Sequence, residues 1–273
     1  MIVHGAMRFA SEVWSSVKGL YWDMGLRSSF EIPVCKGMRF RFARYGDVAR
    51  MLYMQSHLVR LGKSFETGML DLFCSYLSPG ATVIDVGANV GMYSMAASRL
   101  VGPHGRVLAY EPDPVTFEVL TRNLAMNGCD NVRAFPYALS DREGLVDLSV
   151  PAAVKAGYVY GDAYRSMRKL EDGAAGIRAV SLDTHLEELG IAAADVMKID
   201  VEGAELPCLR GAMVLLSGMG APTILVECDE ALCREFGNAV FDTLAFLDGR
   251  GYVMRQLELH DWLALPQYID PKP

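Results

Sequence analysis

The run VIDVGANVGMYS, from Val83 to Ser94, changes character twice. An apolar, β-branched segment gives way to glycine, and the glycine gives way to residues that suit a helix. A chain that leaves a buried strand through Gly87 and Gly91 and enters a helix at once is built for a parallel α/β sheet. Gly87 permits a sharp turn there, and Gly91 permits close approach of the following helix. Asn89, between them, is a residue type that tolerates positive φ better than most.

The same rhythm recurs downstream. GRVLAYEP reads as a second strand, and a helix opens on Pro114 and closes on Gly128. NVRAFPYALS reads as a third strand, followed later by DVMKIDVEG, PTILVECDE and YVMRQLE, with helices AELPCLRGAMVLL and NAVFDTLAFLDGRG between them. DWLALPQYI supplies a last edge strand. Strands alternating with helices predict βαβ units, a mostly parallel sheet and helices on both faces.

Two segments fall outside this rhythm. Phe9, Val13, Val17, Leu20 and Met24 form a helical apolar stripe, expected to dock on the protein's own core, with a membrane-surface contact or pairing in a homodimer as the alternatives. GMRFRFARYGD then alternates as a half-buried strand with a basic face. Between Leu145 and Val180, GLVDLSV and GIRAVSL read as strands flanking a loop rich in glycine, alanine and charge. That loop carries Tyr158, Tyr160 and Tyr164, and a connection of this length is usually functional or disordered. We expect a mobile insertion with Tyr158 and Tyr160 among the substrate contacts. The organisation expected is an N-terminal helix and strand extension over 1–63, packed on a domain over 64–273 with an inserted hairpin-like segment around 145–180.

A formal net charge of −7 argues against nucleic acid as the partner, because phosphate backbones require a basic footprint. The six cysteines form no CxxC pair and read as core thiols of a reducing compartment. No apolar run reaches the roughly 18 residues of a membrane span, and the first residues lack the pattern of a secretory leader. The expectation is a soluble, cytoplasmic protein.

In open parallel sheets, ligands bind beyond the carboxyl ends of the strands. Glu111 ends the second strand twenty residues after Gly91, where a carboxylate can accept the hydroxyls of an adenosine ribose. A dinucleotide would call for G-x-G-x-x-G, whereas the spacing here is G-x-x-x-G with Asp85 beside the turn. That negative charge would repel pyrophosphate and suits a cationic amino-acid group. S-adenosylmethionine, with an ammonium, a sulfonium and a ribose, matches these features.

KIDVEGAE, Lys198 to Glu205, punctures a buried-strand rhythm with Lys198, Asp200 and Glu202. Ionised groups are rarely buried unless paired, and a period of two sends these three to one side of a strand. A structural Lys–carboxylate pair is one explanation. The other, which we favour, puts Asp200 and Glu202 at the strand's exit beside the sheet crevice and makes one of them the base that takes a proton from the acceptor, with Lys198 keeping the neighbouring carboxylate ionised. Glu227 ends the next strand and His57 precedes the core motifs, so both are candidates for substrate binding. His185 reads as a surface helix residue. The spacing demands no metal.

Taken together, FETGMLDLF, PGATVIDVGANVGMYS, GRVLAYEPDP, YALSD, SLDTHL and MKIDVEGAE followed by LRGA resemble the FkbM-type S-adenosylmethionine-dependent methyltransferases over roughly residues 64–226. The resemblance implies a class I methyltransferase (Rossmann-like) fold with a mostly parallel seven-stranded sheet. It implies methyl transfer to a hydroxyl of a sugar, a glycan or a secondary metabolite. It places Asp85, Gly87, Ala88, Asn89 and Gly91 around the methionine portion, Glu111 and Pro112 at the ribose, Ala138 and Leu139 by the adenine, and Glu66 near the cofactor. The N-terminal residues and the tyrosine insertion lie outside it, and acceptor choice is expected there. The alternatives are N-methylation of another substrate class or a non-catalytic cofactor-binding subunit. Against a base-flipping enzyme, no Asn-Pro-Pro-Tyr-type motif follows MKID.

Overall fold

The computed structural model describes residues 29–33, 38–43, 67–149, 166–169, 176–218, 220–257 and 259–267. The N-terminal apolar stripe, His57, Glu66, Tyr158, Tyr160 and Tyr164 lie outside the described residues.

At the centre stand β3 (Thr82–Val86), β4 (Arg106–Tyr110) and β5 (Val132–Phe135), parallel and adjacent. Their connections are α2 (Met92–Val101) and α3 (Pro114–Met126). On the other side of β3 the sheet continues through β10 (Val196–Ile199) and β11 (Thr223–Glu227), again parallel. It ends with β13 (Asp261–Pro266), antiparallel to β11, and β12 (Tyr252–Gln256) at the edge. The seven-stranded order is therefore β12-β13-β11-β10-β3-β4-β5. This is the mostly parallel class I sheet that the resemblance implies. The winding direction reverses between β3 and β10, the kind of crevice where open α/β sheets bind ligands.

Alternation along β3 explains the two cores. Val83 packs with Phe73, Met95, Val107 and Leu120 on one face, the side of α1 (Thr67–Ser75), α2 and α3. Ile84 and Val86 pack with Leu108, Met197, Leu209 and Leu247 on the other, the side of α4 (Leu182–Glu188), α5 (Glu205–Arg210), α6 (Met213–Ser217) and α7 (Val240–Asp248). Strands covered on both faces become continuously apolar, and every residue of β10 is buried. Here the expected single helix AELPCLRGAMVLL divides into α5 and α6, with Gly211 between them.

The segment GMRFRFARYGD forms β2 (Arg39–Ala43), antiparallel to β1 (Ser29–Pro33). Phe40 and Phe42 are buried and Arg39 and Arg41 exposed, as the alternation predicts. Asn127, just past α3, completes the hairpin's edge: it accepts from Arg41 N at 2.8 Å and donates to Arg41 O at 2.6 Å.

NVRAFPYALS, expected as one strand, splits. β6 (Ala138–Leu139) leaves the main sheet and pairs with β9 (Ile177–Val180), opening a second sheet of order β6-β9-β7-β8. Its other members are β7 (Gly144–Ser149) and β8 (Ser166–Lys169). GLVDLSV and GIRAVSL are the strands expected, antiparallel to each other, whereas β8 falls in a stretch that had read as loop. Among the described residues, no helix is long and apolar enough to cross a membrane. The described cysteines, Cys74, Cys129, Cys208, Cys228 and Cys233, are all buried.

Candidate active site

Gly87, the first residue past β3, has φ of +74°. A Cβ there would stand 1.8 Å from the Asp200 carbonyl oxygen, so the turn and the exit of β10 meet where only glycine fits. The amides of Gly87 and Ala88 donate to the Tyr110 carbonyl at 3.0 and 2.9 Å, joining the exits of β3 and β4. Asn89 takes the positive φ expected of it, +50°. Its amide donates to Glu111 Oε2 at 2.9 Å, while Asp113 N donates to Glu111 Oε1 at 2.9 Å. The Glu111 carboxylate is thus clamped between two strand exits. Burial pushes it up to about 7, against the opposing pull of those two amides.

A cleft opens at this junction. Its walls are Val86, Gly87 and Asn89 from β3, Tyr110 to Asp113 and Thr116 from β4 and α3, Tyr137 to Leu139 around β6, Leu148 from β7, and Asp200 to Glu202 from β10. Of the residues expected at the cofactor, Gly87, Asn89, Glu111, Pro112, Ala138 and Leu139 line it. Ala88 and Gly91 do not. They shape the turn from behind, with Gly91 N donating to Ala88 O at 2.8 Å.

Asp85 corrects an expectation. It is fully buried beneath the turn, accepts from Ser94 Oγ at 2.5 Å and lies 3.8 Å from Lys198 Nζ. It therefore presents no charge to the cleft. The pairing follows from register, since Lys198 of β10 sits directly beside Asp85 of β3. Burial raises the Asp85 carboxyl above its ordinary value, with Lys198 and Ser94 opposing. Burial alone would lower the Lys198 ammonium, but Asp200 and Asp85 outweigh it and hold it above its ordinary value. Lys198 Nζ also lies 3.2 Å from Asp200 Oδ2, donates to Gly87 O at 2.9 Å and stands 5.2 Å from the Tyr93 ring centroid.

Glu202 stands beyond the exit of β10 and at the crevice, the position expected of it. Strand geometry ends at Ile199, so the period of two that places Lys198 does not carry on to Glu202. It occupies a left-handed turn with φ of +54° and reaches the same cleft by that route. Burial comes first, then Asp200, Glu227 and Glu205, in holding its carboxyl far above the ordinary carboxylate range; Lys198 only partly opposes them. Glu227, at the exposed end of β11, is close enough to influence both Glu202 and Lys198 but is not part of the cleft wall.

Several residues of the site escaped sequence reasoning. Asp113 caps α3, accepting from Thr116 N at 2.9 Å and Thr116 Oγ1 at 2.8 Å; the pattern Asp-Pro-x-Thr was its signal. Glu205 is buried in the first turn of α5 and accepts from Gly203 N at 2.9 Å. His185, expected on the surface, is buried. Its Nδ1 shares a 2.8 Å hydrogen bond with Tyr110 Oη, and its ring stands edge-on to Phe135 at 4.5 Å and to Tyr137 at 5.4 Å. Tyr110, Phe135 and Tyr137 stack in sequence, at centroid distances of 5.3 and 6.1 Å, with the two tyrosines at the cleft wall. No local pattern announces an aromatic cluster assembled from β4, β5 and α4. Among the described residues, no group of three or more His, Cys, Asp or Glu side chains is placed to hold a metal ion.

Sheet order, glycine turn and clamped strand-end acid define an α/β protein with a nucleoside-type crevice at its switch point. Residues 85–254 match the methyltransferase FkbM domain. The chain is 31% identical over 202 residues to 31-O-demethyl-FK506 methyltransferase FkbM of Streptomyces tacrolimicus, covering 65% of this chain and 75% of that protein. It is 32% identical over 154 residues to methyltransferase sdnD of Sordaria araneosa, covering 47% of this chain and 59% of sdnD. Identity to 2-O-methyltransferase NoeI of Sinorhizobium fredii is 27% over 144 residues, covering 49% and 58%. The chain spans less than two thirds of the length of the latter two relatives. It belongs to the FkbM methyltransferase family.

Proposed function

We propose that this protein is an S-adenosylmethionine-dependent methyltransferase acting on a hydroxyl oxygen of a small molecule or glycan. The observation that carries this is the Glu111 clamp. Two backbone amides fix the carboxylate at the cleft wall, and each oxygen keeps a lone pair for a ribose hydroxyl. The chemistry of the walls fits such a cofactor in a second way: Asn89 Oδ1 is a buried oxygen with no hydrogen-bond partner among the described residues. A buried acceptor of this kind is costly unless a ligand satisfies it. The names of the relatives support the acceptor class, since two of them specify methylation at oxygen.

S-adenosylmethionine supplies an already activated methyl group on a cationic sulfur. The protein has to align the acceptor with it, and such orientation can contribute on the order of 7–11 kcal/mol. Asp200 and Glu202 stand at the cleft as the groups able to receive the hydroxyl proton, a contribution of roughly 10²–10⁴ in rate. Lys198, held by Gly87 and Asp85 from the neighbouring strand, fixes Asp200 and carries the positive charge beside it. Glu66, His57, Tyr158 and Tyr160 are proposed to complete the cofactor and acceptor sites, and Glu227 to meet the acceptor at the mouth.

Calorimetry with S-adenosylmethionine against NAD tests the cofactor, with micromolar binding of the former alone expected. Turnover of Asp200→Asn and Glu202→Gln tests the chemistry. Unchanged rates in both, with cofactor binding intact, would remove the acid pair from the mechanism.

A further inference from the structure

We propose that Glu202, rather than Asp200, moves the proton in this site, and that it does so in exchange with positive charge. A cation entering the cleft releases the Glu202 proton, and loss of that charge draws a proton back. The inference rests on the methyl-transfer reading above and adds to it which acid acts and what drives it.

The two carboxyls at the exit of β10 are in unlike positions. Asp200 is committed to the Lys198 ammonium at 3.2 Å. Glu202 lines the same cleft from a left-handed turn and makes no side-chain hydrogen bond among the described residues. The charged groups facing it are Lys198 of β10, Asp200 just past that strand, Glu227 at the end of β11, and Glu205 of α5. Lys198 is the one cation among them, and it is already shared with Asp85 of β3 as well as Asp200. Glu205 is spent on the turn itself, accepting from Gly203 N at 2.9 Å and Val201 N at 3.4 Å. A further ionised carboxylate in this company is opposed by burial and by every acid around it, so Glu202 holds its proton in the ligand-free protein. Only an added positive charge reverses that balance.

A sulfonium donor brings such a charge, and the transfer step removes it. As the acceptor oxygen bonds to the methyl carbon, the carbon–sulfur electron pair stays with sulfur and Glu202 takes the hydroxyl proton. One positive and one negative charge vanish together, so the total charge of the site is the same before and after. A buried site that cannot solvate excess charge favours such a compensated step over one that leaves a net charge behind.

The test is proton release on binding, read by titration calorimetry of the full chain at pH 7 in buffers of different ionisation enthalpy. The ligands are S-adenosylmethionine, S-adenosylhomocysteine and sinefungin, whose amine keeps the charge but transfers no methyl. Their shared ribose and amino-acid ends make the contributions of Glu111 and of the ligand amine cancel in the comparison. The two cationic ligands are expected to release about one proton more than S-adenosylhomocysteine, so that their relative affinity rises roughly tenfold per pH unit. Glu202→Gln is expected to bind and to lose that extra proton. Equal release by all three ligands, or extra release that survives in Glu202→Gln, would overturn the inference and leave the methyl-donor reading standing. Failure of S-adenosylmethionine to bind would instead overturn that reading.

Discussion

Lys198 Nζ donates to the carbonyl oxygen of Gly87 across 2.9 Å, tying the acid-bearing strand to the glycine turn of its neighbour. The same ammonium is the counter-charge of Asp85, which is sealed from solvent. Removing one partner of a buried ion pair strands the other, at a cost of about 3–5 kcal/mol. Lys198→Met is expected to lose stability of that order in chemical denaturation, and adding Asp85→Asn to recover a substantial part. Strictly additive losses in the two variants would mean that the pair is not coupled.

The two glycines of the turn differ in what surrounds them. At Gly87 an added Cβ meets backbone, the Asp200 carbonyl, whereas at Gly91 it meets the end of the Leu120 side chain at 2.7 Å. Backbone cannot yield as a side-chain methyl can. Gly87→Ala is expected to cost more than about 3 kcal/mol, strain at positive φ adding to overlap, and to abolish cofactor binding. Gly91→Ala should cost less and bind measurably. The reverse order, by thermal melting and calorimetry, would contradict the geometry.

Glu111 offers a direct reading of the clamp. In Glu111→Gln one carboxylate oxygen becomes an NH₂ donor, so the ribose hydroxyl it is proposed to accept from loses a charge-assisted hydrogen bond to the protein. Such bonds contribute roughly 1.5–3 kcal/mol, which corresponds to a loss of cofactor affinity of about 10- to 150-fold. Calorimetry reads this against a circular-dichroism check of folding. Affinity within threefold of the parent would show that Glu111 does not hold the ligand.

Buried acids also set the pH dependence of stability. Burial raises Glu205 from 4.5 to about 7, as it does Glu111, and raises Asp85 and Glu202 in the same direction. A raised acid favours the fold while neutral, so the stabilisation is full below about 4.5 and is lost as pH climbs through about 7. The ligand-free protein should therefore melt higher as pH falls from 8 to 6.5. His185 works against this only below its ordinary 6.5, because burial lowers it. Glu205→Gln keeps an oxygen for the Gly203 amide and removes the charge. It should flatten the slope and stabilise the protein at pH 8 by on the order of 3 kcal/mol. A Tm at pH 8 below that of the parent would refute this reading of Glu205.

Local patterns carried the reading where one stretch of chain determines the outcome. Strands β3, β4, β10 and β11, the turn glycines, the positive φ of Asn89 and the alternation of Phe40 and Phe42 are properties of a few consecutive residues. The pairing of Ala138 and Leu139 with β9 is not legible locally, because Pro136 and Tyr137 do not reveal which sheet the chain joins next. The exit of β10 at Asp200 and Glu202 is legible, but the left-handed turn that aims Glu202 is not, since a period of two continues in the letters after it has ended in the backbone at Ile199.

By itself the sequence determined that a strand must end in a glycine turn, that Glu111 must follow at the next strand's tip, and that Lys198 needs acids nearby. Tertiary structure alone decided which acids those are. The parallel register of β10 against β3 sets Asp85 under Lys198 and out of the cleft, and the end of β10 leaves Asp200 and Glu202 facing into it. The reason is that burial and charge pairing act through space. Whether a carboxylate is a buried counter-ion or a working acid depends on neighbours more than a hundred residues away in the chain.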